Sequence, residues 1–144
     1  MTHEDAGHYA AKHSKDTELN PKIAEAVRLK ASDERISCAA AHKIAGDLNV
    51  EPIDVGTAID LLEYRITRCQ IGLFGYGHKK KIVRPDADVS PDLERAIRES
   101  MIDGRISCLS CWQIAKRLHM TKMGVSAACE ALGVKLCDCQ LGAF

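Results

Sequence analysis

Seven cysteines are the side chains of this chain best equipped for chemistry. A thiolate binds zinc or an iron–sulfur cluster, and with a lowered pKa it becomes a nucleophile or redox centre. Cys108-x-x-Cys111 and Cys137-x-Cys139 together have the spacing of a four-thiolate metal site. A second group of side chains is suited to phosphate. It comprises the run Lys79, Lys80 and Lys81, then Lys116, Arg117 and Lys122, with the hydroxyls of Thr121 and Ser126. The usual signs of an enzyme are missing. Gly72-Leu73-Phe74-Gly75-Tyr76-Gly77 is not followed by a phosphate-binding Lys and a helix, so it is no phosphate loop. The carboxylates fall on polar helix faces as solvated charges. Neither an enzyme nor a cofactor is expected.

These side chains must be placed by a duplicated scaffold. Residues 21–74 reappear without a gap as residues 91–144, with 18 identities in 54 positions. Arg35-Ile36-Ser37-Cys38 becomes Arg105-Ile106-Ser107-Cys108, and Cys69-Gln70-Ile71-Gly72-Leu73-Phe74 becomes Cys139-Gln140-Leu141-Gly142-Ala143-Phe144. A repeat of this length is a small domain rather than one turn of a solenoid. The duplication also tests the metal reading. Ala41 and Thr67 stand in the first copy where Cys111 and Cys137 stand in the second, and Cys129 replaces Ile59. Two of the four candidate ligands are therefore dispensable to the same fold, and Cys111 and Cys129 read as buried apolar residues. No structural metal is expected. Cys38 with Cys69, and Cys108 with Cys139, occur in both copies. They would be neighbours if Arg-Ile-Ser-Cys formed an edge strand beside the terminal strand. Small residues at a tight junction are the simpler account, and a redox-sensing dithiol is the alternative.

Composition sets the remaining bounds. An apolar fraction of 46% and a charged fraction of 28% describe a soluble globular protein, and no apolar run is long enough for a membrane span. Met1-Thr2-His3-Glu4-Asp5 lacks the character of a secretion signal, so a cytoplasmic location with reduced thiols is expected. Net charge is zero, spread as −2 over residues 1–19, −1 over 20–75, +2 over 76–89 and +1 over 90–144. Most DNA-binding modules are visibly basic, and this chain is not.

The pattern predicts a mainly α protein. Residues 1–19 form a polar tail, mobile but docked in part through Tyr9-Ala10-Ala11. The first repeat covers 20–75, a Gly- and Lys-containing linker 76–89, and the second repeat 90–144. Within each repeat, Asn20-Pro21 and Ser90-Pro91 start a first helix with apolar positions Ile23, Ala26, Val27, Ala31 and Leu93, Ala96, Ile97, Met101. Ser37 and Ser107 cap a second helix striped by Ala41, Ile44, Ala45, Leu48 and by Cys111, Ile114, Ala115, Leu118. The third helix carries Val55, Ala58, Ile59, Leu62 against Val125, Ala128, Cys129, Leu132, and a short strand follows at 64–67 and 134–137.

The second and third helices have the spacing of a helix-turn-helix: a small residue midway in the first, apolar residues around it, a turn residue tolerant of unusual φ, then apolar anchors. Ile44-Ala45, Leu48, Asn49, Val50, Val55 and Ala58 fill these places, and Ile114-Ala115, Leu118, His119, Met120, Val125 and Ala128 fill them again. On these residues the chain resembles the winged-helix and helix-turn-helix superfamily over both repeats, about three-quarters of its length. The resemblance implies two tandem helix-turn-helix domains of reduced winged-helix type, each of three helices plus a short terminal strand. It also implies DNA binding and transcription regulation.

In such a module the exposed start of the third helix enters the major groove. The first repeat offers Glu51, Pro52, Ile53, Gly56, Thr57 and Asp60, which phosphates would repel. The second offers Thr121, Lys122, Met123, Ser126, Ala127 and Glu130, with Lys116 and Arg117 nearby. Weak binding of double-stranded DNA by the second repeat, helped by Lys79, Lys80 and Lys81, is therefore the first expectation. The alternative is a protein-interaction or dimerisation scaffold, since the third helices are low-profile and the charge is neutral. A cysteine-based redox or metal sensor is the third.

Overall fold

The computed structural model describes residues 7–77, 82–86 and 88–144. It is mainly helical, with a few short strands. A short 3-10 turn, Tyr9–Lys12, precedes α1 (Pro21–Lys30), β1 (Arg35–Ser37), α2 (Cys38–Leu48), α3 (Pro52–Leu61) and β2 (Arg65–Thr67). The same order then returns as α4 (Pro91–Ser100), β3 (Arg105–Ser107), α5 (Cys108–Arg117), α6 (Lys122–Leu132) and β4 (Lys135–Cys137). Among the described residues no helix is long and apolar enough to cross a membrane.

The helix starts follow from side chains that satisfy the first free N–H groups. Asn20 accepts from Lys22 and Ile23, Ser90 from Leu93, Ser37 from Ala40, Ser107 from Ser110 and Thr121 from Gly124. At α3, Glu51 and Asp54 form a reciprocal capping box around Pro52. The turns repeat as faithfully. Residues with positive φ pair across the duplication: Asp33 with Asp103, Glu34 with Gly104, Asn49 with His119, Glu63 with Gly133, Arg68 with Asp138 and Gly72 with Gly142. Asn49 and His119 thus take the left-handed turn that their positions require, at φ 53° and 54°.

The strand pairs are parallel. Ile36 stands opposite Ile66 and Ile106 opposite Leu136. A parallel pair needs a long crossover, and here two helices supply it: α2 with α3, then α5 with α6. Ile44, Val55, Ile114 and Val125 are buried as the stripes require, while Leu62, Leu118 and Leu132 are only half-buried. Leu48 departs from expectation at 37% exposed. It is the last residue of α2, and the left-handed Asn49 turns the chain away before its side chain reaches the core.

The chain forms two compact units, offset from the sequence repeats. The first consists of Met1–Cys69 with Gln140–Phe144, the second of Gln70–Cys139. Each Cys-Gln-x-Gly-x-Phe ending therefore contributes its last five residues to the unit built on the other copy's helices. In the first unit this depends on Gly56, where an added Cβ would collide with the Leu141 carbonyl oxygen. Gly142, at φ +79°, lies close against Ile53, and its carbonyl accepts from Lys12 Nζ at 3.2 Å.

The segment ahead of α1 docks on α3 of the same unit. Tyr9 is buried, and the backbone N–H groups of Tyr9 and Ala10 donate to the Glu63 carboxylate at 2.9 and 2.8 Å. Lys12 Nζ and His13 Nε2 meet Asp60 Oδ2 at 3.0 and 2.8 Å, and Asp60 is 1% exposed. Glu63 has positive φ where the second repeat has glycine, a conformation that costs an L-residue about 1–2 kcal/mol. Hydrogen bonds to a charged group contribute about 1.5–3 kcal/mol each, so two of them offset the strain.

Candidate functional site

Of the side chains expected to face a major groove, Gly56, Asp60 and Ser126 are buried, Glu51, Ile53 and Thr121 are exposed, and the others are half-buried. On α3, Gly56 and Asp60 are buried, one under Leu141 and the other beneath Lys12 and His13. On α6 the contacts come from residues among 70–77 and 82–86. Gln70 Oε1 accepts from Lys122 Nζ at 3.4 Å, Gly72 and Val83 pack at Met123, and the Asp86 N–H donates to the Ala127 carbonyl at 3.1 Å. Ser126, assigned to the DNA-facing set, is 0% exposed. It is the counterpart of Gly56 in the duplication, and both are buried. Part of the expected linker is thus packed structure, with Val83 buried and Ile82 N–H donating to the Gly72 carbonyl at 2.9 Å. Lys79, Lys80 and Lys81 lie outside the described residues.

The other candidate cations do converge. Trp112, Gln113, Ala115 and Lys116 of α5, Met120 and Thr121 of the turn, and Lys122 of α6 line an open groove of about 490 Å³. Lys116, Arg117 and Thr121 are exposed and Lys122 is half-buried. Lys122 Nζ sits 4.1 Å from the centre of the Trp112 ring, a cation–π contact that holds the ammonium group in place. The floor is apolar, from Trp112, Ala115 and Met120. Lys116, Thr121 and Lys122 are expected here from the register of the repeat, whereas Trp112 and Gln113 are not. One signal was present: the single tryptophan stands where the first copy has His42, one turn ahead of the basic end of α5. The first copy has Gly46, Glu51 and Pro52 in place of Lys116, Thr121 and Lys122, so this cationic lining belongs to the second alone.

The cysteines divide by burial. Cys38, Cys69, Cys108, Cys111 and Cys129 are buried; Cys137 and Cys139 are partly exposed. Cys38 and Cys108 open α2 and α5 immediately after the paired strands, and Cys69 and Cys139 follow β2 and β4 by two residues. Hydrogen bonding to Cys129, burial and the neighbouring thiols push the Cys111 thiol far above the usual range. Cys137 borders a second hollow of about 430 Å³ with Ser100, Ile102, Asp103, Arg105, Ser107, Ser110 and Asp138. Its pKa is raised by burial and by Asp138, against a smaller opposing effect of Arg105. Among the described residues no group of three or more His, Cys, Asp or Glu side chains is placed to hold a metal ion.

The thiols give a direct check. In the native protein a colourless disulfide reagent such as Ellman's should react quickly with about two thiols, Cys137 and Cys139, and with all seven after denaturation. Reaction at Cys137 should accelerate as pH rises above neutral, because burial and Asp138 make its thiolate form late. Rapid reaction of five or more native thiols would contradict the burial described above.

Comparison of the chain with protein-family models, with curated proteins and with solved structures finds no match.

Proposed function

We propose that this protein is a protein-interaction module on a tandem helix-turn-helix-like scaffold, and not a reader of DNA sequence. One observation carries the reading: in each unit the same unit's own chain lies on part of the outer face of the third helix, at Gly56 and Asp60 on α3 and at Met123 and Ala127 on α6, leaving Glu51, Ile53 and Thr121 exposed. A base-reading helix must offer that face to the major groove. Neutral net charge supports the same view, since affinity for duplex DNA comes chiefly from many phosphate contacts.

The exposed Lys116, Arg117 and Thr121 favour a second reading, weak attachment to phosphates by the second unit. Electrophoretic mobility of mixed-sequence duplexes separates the two. The expected result is no shift at about physiological salt, and at low salt at most a weak shift abolished by Lys116→Glu with Arg117→Glu. A shift that survives physiological salt and selects one sequence from a random pool would overturn the interaction reading.

A further inference from the structure

We propose that the groove between α5 and the start of α6 is a docking cleft for an acidic peptide segment carrying one apolar anchor side chain. The inference rests on the interaction-module reading and names the chemistry of the partner. Three properties point to that occupant.

The first is complementarity. Trp112, Ala115 and Met120 make a floor that gains by covering an apolar side chain, while Lys116 and Lys122 place two ammonium groups at its rim. Gln113 and Thr121 add side-chain donors to the same lining. Among the described residues no carboxylate lines the groove, so an incoming Asp or Glu meets no like charge.

The second is size. A volume of about 490 Å³ falls within the ~300–1,000 Å³ typical of ligand clefts, enough for one large side chain with its flanking backbone. Two rim lysines match two carboxylates. They fall well short of the roughly 6–10 phosphate contacts on which tight duplex binding relies.

The third is preorganisation. Lys122 is already held by the Trp112 ring and Gln70, so it loses little freedom when a carboxylate arrives. Lys116, its neighbour on the rim, is exposed and supplies charge without being needed by the core.

The test uses the whole chain. A library of random dodecapeptides is selected on the immobilised protein, and the winning sequences are synthesised. The expected consensus places Asp or Glu on both sides of a Leu, Ile or Phe. Because Trp112 is the only tryptophan, its fluorescence should report binding directly and saturably. Lys116→Glu should weaken binding about tenfold or more, and Lys116→Arg should retain it. Lys22→Glu, an exposed charge reversal in the first unit, should leave it unchanged. Selection without an acidic–apolar consensus, or equal binding by Lys116→Glu, overturns the proposal and leaves the interaction reading to the mobility test. Tighter perturbation of Trp112 by a mixed-sequence oligonucleotide than by any selected peptide overturns both.

Discussion

Gly56→Ala is expected to destabilise the protein by about 1–3 kcal/mol and to release residues 140–144 from α3. The sign is unusual for a helix. Gly56 is not among the positive-φ residues, and at an open helical site alanine is favoured over glycine by about 1 kcal/mol. Here the added Cβ would run into the Leu141 carbonyl oxygen, and the obstacle is backbone, which cannot turn aside as a side chain can. Gly46 is the internal control. It lies in α2 with nothing within 4 Å of an added Cβ, so Gly46→Ala should stabilise by about 0.4–1 kcal/mol. Thermal melts give the two signs, and limited proteolysis within residues 140–144 reports the release. A Gly56→Ala protein as stable as the parent, and as resistant to cleavage there, would mean the segment does not lie across α3.

The second large effect is in the core. Ile114→Ala and Ile44→Ala should each cost about 2–5 kcal/mol, because both side chains are almost fully buried on the inner stripes of α5 and α2. Leu48→Ala should cost less than about 1 kcal/mol, although Leu48 follows Ile44 on the same helical stripe. Urea denaturation of the three variants decides it. Equal losses at Ile44 and Leu48 would show that the end of α2 packs more tightly than its exposure indicates.

That contrast marks what local pattern can and cannot convey. The order of elements is legible because it depends on neighbours in sequence: Asn20, Ser37, Ser90 and Ser107 cap helices a few residues away, and the apolar stripes repeat within one turn. The inward setting of Cys111 and Cys129 is legible too, through Ala41 and Ile59 in the other copy. The covered faces are not. Nothing near Gly56 states that Leu141 will cross it, and nothing near Ser126 states that Gly72 will pack at Met123 and Asp86 at Ala127. A helical wheel therefore assigns both to solvent. The candidate groove falls between these cases: register gave Lys116, Thr121 and Lys122, but Trp112 enters the site only when α5 and α6 are set side by side.

The way the five-residue ending is shared has a consequence for the order of assembly. The second unit is one uninterrupted stretch, whereas the first is divided around it. A ribosome delivers the whole of the second unit before it delivers the residues that close the first. Lys12 and Gly142, which meet in the finished first unit, are 130 residues apart along the chain. Closing so long a loop slows folding more than it weakens the folded state, because the entropic cost grows only with the logarithm of length. The earliest helices to be synthesised therefore belong to the last unit to be completed, and α3 waits uncovered at Gly56 while its cover is still being translated.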